Sequence, residues 1–317
     1  MKRTTRTGRE CGLTLVELLV VLFVLGLLAA TASVATAGLL EQGQQDATLR
    51  SLAAIETAVL GAPDRQDATG TPYVTGFVAD VGRLPVMRGT AAETGLQELW
   101  RGTDGTLSSP ATWTIALFGV QTPAGDVEVR LPAGWRGPYV NTPIGTAQLR
   151  DGWRRAFRLL RADGSDAPVG TGIEIVRSSG ADGVPDGATP SAGNDRDLAT
   201  VFANTDPVET VAPRYSGDLV VIVRSTAGVT NASIRIYGPA DGVVQTLAQP
   251  PPQTIPAGGQ ATFVVTGVAI GPKILRAYAA AAPADPNDPF VPVPATSRIQ
   301  PVVVEAGGLP PIVLDLP

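Results

Sequence analysis

An uncharged apolar run over residues 18–40 constrains this chain more than any other feature of its sequence. At about 1.5 Å per residue, a helix of this length crosses a hydrocarbon core of roughly 30 Å. The short segment ahead of it is basic, with Lys2, Arg3, Arg6 and Arg9 against Glu10. Basic residues beside a membrane helix favour the cytoplasmic side. The sequence therefore predicts a single-pass anchor with a cytoplasmic N-terminus, which exports the rest of the chain.

One carboxylate, Glu17, lies at the start of the apolar run. An ionised carboxylate near the end of a lone membrane helix costs on the order of a few kcal/mol, so it needs a partner or a proton. In a simple anchor, Glu17 would extend to the membrane surface instead. The small residue Gly12 precedes the apolar run, whereas the small residues of a secretory cleavage site follow it. A secretory signal peptide therefore describes this N-terminus poorly.

Residues 12–17 and the short basic leader resemble the class III leader of type IV pilins and type II secretion pseudopilins. The resemblance implies that a prepilin peptidase cleaves after Gly12 and methylates the new N-terminus, Leu13, where the family usually has Phe. It also implies that Glu17 pairs with the N-terminal amine of a neighbouring subunit, which would set the register of a filament. The implied partners are the peptidase, other copies of this chain, other pseudopilins and an assembly platform in the bacterial inner membrane. The exported domains and the assembled pseudopilus would lie in the periplasm.

The composition argues against several kinds of function. Without the leader, residues 1–12, the chain keeps 20 basic and 28 acidic residues, which disfavours nucleic-acid binding. It contains no His, and its single Cys, Cys11, belongs to the leader. The exported part therefore lacks the commonest general base, the commonest transition-metal ligand and any disulfide. Only Asp or Glu pairs would remain for catalysis, so we predict that the protein is not an enzyme.

Helical spacing of apolar residues continues past the membrane segment and ends near Leu60, before a Gly-Ala-Pro sequence. The sequence thus predicts one transmembrane and assembly helix over residues 13–60. Residues 61–207 are rich in loops and contain strand candidates at 113–118, 127–131, 156–160 and 173–177. We expect this part to be a small head with an antiparallel sheet, which makes the chain an α+β protein.

Short elements of the head are similar to the major, G-type, pseudopilin of type II secretion. They are Gly82-Arg83-Leu84-Pro85, the run GLQELW at 95–100, Gly137-Pro138-Tyr139-Val140 and the run LRDGW at 149–153. The family usually has Pro where this chain has Gly152, and Gly where it has Arg154. The Trp residues in and between these elements, Trp100, Trp113, Trp135 and Trp153, are expected to pack in the core.

A last element of the resemblance is an Asp- and Gly-rich loop. The corresponding loop of the major pseudopilins binds calcium, and the pattern implies the carboxylates of Asp182, Asp195 and Asp197 and the carbonyl of Ser179 as ligands. Calcium takes about six to eight oxygen ligands in flexible geometry, which such a loop can supply. Asp186 is a further candidate. Without the family context the stretch is more typical of a solvated turn than of a calcium site, because its spacing does not match an EF-hand loop.

Beyond residue 207 the sequence predicts an all-β domain over residues 208–317. Short β-branched or alternating runs occur at 219–224, 232–237, 261–265, 274–278, 300–304 and 311–316, separated by Gly and Pro turns. This pattern is typical of a small immunoglobulin-like β-sandwich. Alternation over residues 233–237 predicts one buried and one solvent-exposed face. The major pseudopilins end before such a domain.

Two roles are left open by the sequence. The chain is either a shaft subunit of the pseudopilus or a minor, tip subunit whose C-terminal β domain binds a surface, a cargo or a partner protein. A shaft subunit would be abundant in the filament, whereas a tip subunit would be rare.

Overall fold

The computed structural model of the chain describes residues 15–62, 75–87, 96–101, 114–122, 125–142, 148–186, 195–203, 205, 211–279 and 297–316. Its helices are α1 (Leu15–Leu60) and α2 (Phe77–Val81), with a 3₁₀ turn at Gln97–Leu99. Its strands are β1 (Thr114–Thr122), β2 (Gly125–Ala133), β3 (Arg158–Leu160), β4 (Ile175–Ser178), β5 (Leu198–Val201), β6 (Ser216–Ser225), β7 (Val229–Ala240), β8 (Val243–Ala248), β9 (Gln253–Ile255), β10 (Gly259–Ala269), β11 (Gly271–Tyr278), β12 (Ser297–Val304) and β13 (Ile312–Leu316). A long apolar helix followed mostly by β-sheet agrees with the predicted α+β class.

The helix α1 lies in two different environments. Its segment Leu15–Ala32 is long and apolar enough to cross a membrane, and none of that segment is buried against the rest of the chain. A contiguous apolar surface of this size is typical of a membrane or partner contact. The helix ends at Leu60, as predicted, where Gly61 adopts a left-handed conformation (φ 86°) and donates its N–H to the Thr57 carbonyl at 2.8 Å.

The second half of α1 forms one wall of the head. Leu52, Ile55 and Val59 recur at spacings of three and four, and each is nearly or fully buried. They pack in one hydrophobic cluster with α2, with the Gln97–Leu99 turn and with β3 and β4. A buried aliphatic side chain contributes about 1.5–3 kcal/mol, so this stripe attaches α1 firmly to the head. The strands β3, β4 and β5 form a three-stranded antiparallel sheet, the type of sheet predicted for the head.

The strands β6 to β13, here called the C-terminal module, form two sheets. One has the order β10-β6-β13, and the other has the order β12-β11-β7-β8 with β9 added to β7. The inner faces share a hydrophobic cluster that includes Val221, Ile236, Phe263 and Leu275. The six strands predicted for this region are present, whereas β8 and β9 were not predicted. Two sheets on a common core agree with a sandwich, and the immunoglobulin-like assignment stays a prediction.

The prediction of a solvent-exposed outer face on β7 is wrong. Ser233, Arg235 and Tyr237 are each at most 2% exposed. The hairpin β1–β2 contacts this sheet, and its Leu131 packs in a small cluster with Tyr237 and Ile274. This hairpin comes from much earlier in the chain. Local alternation therefore could not reveal that the outer face is covered.

The head and the C-terminal module meet at a close junction. The helix α2 contacts β7 and β11, and the Gly242 N–H donates to the Val81 carbonyl at 2.9 Å. A Cβ placed on Gly271, whose φ is 107°, would lie 2.7 Å from the α carbon of Ala79. Ile270, just before β11, belongs to the hydrophobic cluster of the head. The predicted boundary at residue 207 lies outside the described residues.

Candidate functional site

The N-terminal turn of α1 carries the one acidic residue of the membrane segment. Glu17 lies in the first turn, exposed like its neighbours Leu15, Val16 and Leu18. A negative charge in this position interacts favourably with the partial positive charge of the helix N-terminus. Gly12 and Leu13, the predicted processing residues, lie outside the described residues. The structure thus leaves Glu17 exposed at the start of the apolar helix.

Two polar side chains that the sequence did not single out attach α1 to the head. The Thr48 hydroxyl accepts a hydrogen bond from the Gly152 N–H at 2.8 Å. Glu56 accepts one from the Thr200 hydroxyl at 2.9 Å and forms an ion pair with Arg214. Thr48 and Glu56 lie close to the buried apolar stripe of α1. Their position beside this stripe was the sequence signal that could have identified them as contacts to the head.

The turn that contains Gly152 explains one of the two departures from the pseudopilin pattern, the glycine at position 152. The Gly152 N–H is used by Thr48, and a Pro in its place would have no N–H to donate. A Cβ on Gly152 would also collide with the Gln44 carbonyl of α1. Arg154 adopts a left-handed conformation with φ of 64°, which glycine adopts without strain. The backbone therefore retains the conformation that suits the family's glycine, while Gly152 meets a requirement of α1.

The Gly82-Arg83 element lies at the junction of the head and the C-terminal module. Arg83 donates to both carboxylate oxygens of Glu98, at 2.8 and 3.0 Å, and Glu98 is only 1% exposed. The Nε of Arg83 also donates to Asp241, in the turn between β7 and β8, at 2.9 Å. Burial lowers the pKa of Arg83, but hydrogen bonds and attraction from Glu98 and Asp241 outweigh it and raise the pKa. Arg83 is thus an ionic link between the two parts of the protein.

A buried acid, Asp80 of α2, lies beside the Gly-Pro-Tyr-Val element. The Tyr139 hydroxyl donates to Asp80 at 3.0 Å, and Arg136 forms an ion pair with it at 3.2 Å. Burial raises the pKa of Asp80 to about 6, although Arg136 and Tyr139 oppose the shift. The backbone N–H of Tyr139 donates to the Leu99 carbonyl at 2.7 Å. Two of the pseudopilin-like elements therefore contact each other.

The candidate calcium loop is held by its own backbone and carboxylates. Asp182 accepts from the Val184 N–H at 2.9 Å, and the Ser179 carbonyl accepts from the Gly183 N–H at 3.0 Å. Asp186 and Asp197 exchange hydrogen bonds, each carboxylate accepting the other's N–H, at 2.7 and 3.0 Å. The structure thus pairs Asp197 with Asp186.

Among the residues of this loop, Asp197 is chemically the best suited to bind a cation. Its side chain is 8% exposed, and its Oδ1 atom is buried without a hydrogen-bond partner in the described chain. Burial and the charges of Asp186 and Asp182 raise its pKa, while the Asp186 N–H and Arg177, 4.0 Å away, lower it. An orphaned carboxylate oxygen among other carboxylates fits a hard cation. The described residues nevertheless include no cluster of three acidic side chains arranged to hold a metal.

Arginines already occupy part of this loop. Arg155 donates to the Gly180 carbonyl at 2.6 Å, and a Cβ on Gly183 would lie 2.6 Å from its guanidinium carbon. A Cβ placed on Gly180 would lie 2.6 Å from the Asp195 carbonyl oxygen, so this carbonyl packs closely against Gly180. The calcium ligands Ser179, Asp182, Asp195 and Asp197 therefore remain a prediction.

Comparison with known proteins bears on the N-terminus. A family profile described as the prokaryotic N-terminal methylation motif matches residues 7–33. No curated protein and no solved structure matches the chain. The matched range contains Gly12, Leu13 and Glu17, and most of it lies in the exposed apolar part of α1. The chain therefore carries a prepilin-type N-terminus, the kind that a prepilin peptidase processes, on a helix suited to membrane anchoring.

Proposed function

We propose that this chain is a structural subunit of a periplasmic pseudopilus, in a type II secretion system or a closely related type IV filament. One observation carries the proposal: the matched N-terminal motif opens a single continuous helix that is apolar and exposed at first and packed into a head later. A simple anchor needs only the first half. A filament subunit needs both, because its membrane helix becomes the filament core. The role is structural, and the chain is a substrate of the peptidase.

The assembly step depends on Glu17. Cleavage after Gly12 creates an amine on Leu13, and Glu17 then lies one helical turn away from that end of the chain. In a filament core of low dielectric, an amine of one subunit and Glu17 of the next neutralise each other. The pair removes the cost of burying either charge alone, which is several kcal/mol per ion. Only the correct axial offset between neighbours brings the two groups together, so the pair selects the register.

The test replaces Glu17 with Ala and measures cleavage and assembly separately. Glu17→Ala is expected to be cleaved normally, because the scissile bond is intact, yet to yield few filaments. Glu41→Ala, a change of the same type beyond the apolar segment of α1, is the matched control and should assemble as the wild type does. Wild-type filament yield from Glu17→Ala would overturn the pairing.

The G-type pseudopilin assignment rests on the pseudopilin-like elements. In the structure, Arg83 of the first element binds Glu98 of the second, and Leu99 of the second binds Tyr139 of the third. Contacts between such elements are what a shared head architecture would produce. The proposal places the head and the C-terminal module in the periplasm.

We further assign the Asp-rich loop a calcium ion, with Asp197 as its central ligand. Support comes from the orphaned Oδ1 atom of Asp197 and from the nearby carboxylates of Asp182 and Asp186. Asp195 and the Ser179 carbonyl complete the expected set. A cation that binds only the folded loop stabilises the protein by mass action, by about 2.7 kcal/mol at a concentration of about 100 times its dissociation constant.

The calcium assignment is tested by thermal denaturation of the full-length protein in mild detergent. Millimolar calcium is expected to raise the melting temperature relative to chelator, and Asp197→Asn is expected to abolish that rise. Asp166→Asn is the matched control, because this carboxylate is mostly exposed and lies outside the loop. Equal melting temperatures with calcium and with chelator would contradict the assignment.

A tip subunit is the second candidate role, and the close junction favours it. Gly82 and Gly271 allow backbone contact between head and module, and Arg83 bridges them. A module attached in this way accompanies every subunit in a fixed position, which is sterically demanding in a shaft and easily accommodated at a tip. Counting subunits per filament distinguishes the roles, because a tip subunit is present in few copies.

A further inference from the structure

The head begins to contact α1 a short distance beyond the membrane segment. As a helix, the apolar run over residues 18–40 is about 34 Å long, so with an ordinary tilt it ends near the edge of the hydrocarbon core. Over residues 15–43, every residue of α1 whose burial the structure describes is exposed, and burial begins at Gln44. Gln44 lies about 6 Å past Leu40, and the headgroup layer on each side of the core is about 5–7 Å thick. This first contact of the head therefore lies at the level of the lipid headgroups.

The turn at residues 150–154 makes that contact. The Gly152 N–H donates to the Thr48 hydroxyl at 2.8 Å, and a Cβ on Gly152 would collide with the Gln44 carbonyl. On its other side the turn is attached to the sheet of the head, because the buried carboxylate of Asp151 accepts from the Ser178 hydroxyl at 2.8 Å. The 150–154 turn is therefore held at a fixed position along α1.

Two arginines of this turn are exposed, Arg150 and Arg154. Arg150 donates to the Arg154 carbonyl at 2.6 Å, which keeps the two residues together. Within the part of the chain that the structure describes, neither guanidinium forms an ion pair with a carboxylate. Between the apolar run and Gln44, α1 has one acidic residue, Glu41. The two arginines outnumber it, so the charge at this level of the protein is positive.

The Asp-rich loop does not reverse this balance at the turn itself. Arg155, the residue after the turn, donates to the Gly180 carbonyl of that loop at 2.6 Å. A third guanidinium thus lies between the loop and the 150–154 turn.

The turn also carries an aromatic side chain of the type that favours a membrane surface. Trp153 is half-buried, and its Nε1 atom is buried without an acceptor in the described chain. Tryptophan is enriched at the boundary between membrane and water, and basic residues near that boundary are attracted to anionic lipids. The turn combines both features at the height where headgroups begin.

We infer that the 150–154 turn docks onto the anionic phospholipid headgroups of the leaflet that faces the head, with Arg150 and Arg154 binding lipid phosphates. A guanidinium offers paired donors that match the oxygens of a phosphate. The inference rests on the membrane anchoring of α1 in the proposed function, which brings the turn to this level. Docking holds the head at a fixed height and orientation on the membrane until the subunit leaves it for the filament.

The test uses the full-length protein in vesicles of phosphatidylcholine, with or without a minority of phosphatidylglycerol. Both kinds of vesicle include a lipid with a nitroxide on its headgroup, which quenches the fluorescence of nearby tryptophans. A chelator is present throughout, so that calcium cannot bridge carboxylates to lipid phosphates. Trp153→Phe, made in each background, gives the quenching of the other tryptophans, and the difference reports Trp153 alone.

The decisive variant is Arg150→Gln/Arg154→Gln, which removes both charges from the turn. Arg161→Gln/Arg224→Gln removes two exposed arginines elsewhere and is the matched control. Each basic residue near an anionic surface favours association about fivefold, so the loss of two lowers the docking equilibrium constant about thirtyfold. With phosphatidylglycerol, the wild type and the control should show quenching of Trp153 that the first variant lacks.

A charge-preserving variant separates lipid binding from a role within the turn. Arg150→Lys/Arg154→Lys keeps both charges but loses the guanidinium that donates to the Arg154 carbonyl. It should retain most of the Trp153 quenching. Equal losses in the Lys and Gln variants would overturn the inference, because the arginines would then act only inside the protein.

Equal quenching of Trp153 in the wild type and in Arg150→Gln/Arg154→Gln would also overturn it, as would equal quenching with and without phosphatidylglycerol. Flotation of the vesicles checks the anchor separately. Protein that floats with the vesicles but shows no quenching of Trp153 keeps its anchor and refutes the docking alone. Protein that does not float refutes the membrane anchoring of α1 and the docking together.

Discussion

Replacing Arg83 with Met is expected to lower the free energy of unfolding by about 3 kcal/mol, because it removes the ion pair and the two hydrogen bonds that Arg83 gives to the buried carboxylate of Glu98. The magnitude follows from the geometry. Glu98 is 1% exposed and receives two hydrogen bonds from Arg83, whereas Arg83 itself is 24% exposed. Removing one partner of a fully buried pair costs about 3–5 kcal/mol, and the partial exposure of Arg83 places this pair near the lower end. Met keeps most of the apolar stem, so lost packing contributes little.

The assay is urea unfolding of the full-length protein in mild detergent, followed by Trp fluorescence, since Trp100 and Trp135 pack against the core of the head. Arg158→Met is the matched control. Its ion pair with Asp166 is exposed on both sides, so the change should cost less than about 1 kcal/mol. The double variant Arg83→Met/Glu98→Gln should recover part of the loss, because the buried negative charge is removed together with its arginine. Equal effects of Arg83→Met and Arg158→Met would refute the reasoning.

Two further predictions concern the head. Asp80 has a folded pKa of about 6, above its unfolded value of 3.8, so its contribution to stability is fully present below pH 3.8 and is lost as the pH rises through 6. The effect amounts to at most about 3 kcal/mol. It is measured as melting temperature against pH, and Asp80→Asn should lack this pH dependence. The same pH profile in Asp80→Asn and in the wild type would contradict the assigned burial of Asp80. Gly152→Ala should weaken the attachment of α1 to the head, because a Cβ on Gly152 collides with the Gln44 carbonyl of α1. Gly43→Ala, in α1 itself and in open space, should be neutral or stabilising. Equal melting temperatures for those two variants would show that Gly152 does not contact α1 closely.

The regular elements could be predicted well because their signals are local. The helix end at Leu60 follows from the Gly-Ala-Pro sequence after it, and ten of the strands follow from alternating or β-branched runs between turns. The sequence does not predict the other three strands, β5, β8 and β9. β5 and β9 have only four and three residues, Leu198–Val201 and Gln253–Ile255, which is too short for alternation to stand out. β8 contains Val243, Val244 and Thr246, and the Asp-Gly turn before it was the available signal.

Long-range contacts could not be predicted in the same way. Arg235 reads as a solvent-facing residue between two Ile residues, yet it is buried, and the hairpin β1–β2 contacts the same sheet. Glu56 and Arg214 are far apart in sequence, and neither belongs to a recognisable motif. The Gly82-Arg83 element was recognised from its family resemblance, but its role at the junction depends on Asp241, in a part of the chain where the resemblance does not extend.

The N-terminal motif is supported by sequence and not by the described structure. The matched profile covers Gly12, Leu13 and Glu17 as sequence, while the structure begins its description at Leu15. Processing is therefore the claim on which the proposed filament role depends.

The most direct test is the intact mass of the protein expressed with and without an active prepilin peptidase. The account predicts that the peptidase removes residues 1–12, with one methyl group added to Leu13, and that the mass is unchanged without the enzyme. A full-length mass in both samples would contradict it, and α1 would then be only an anchor for the exported domains.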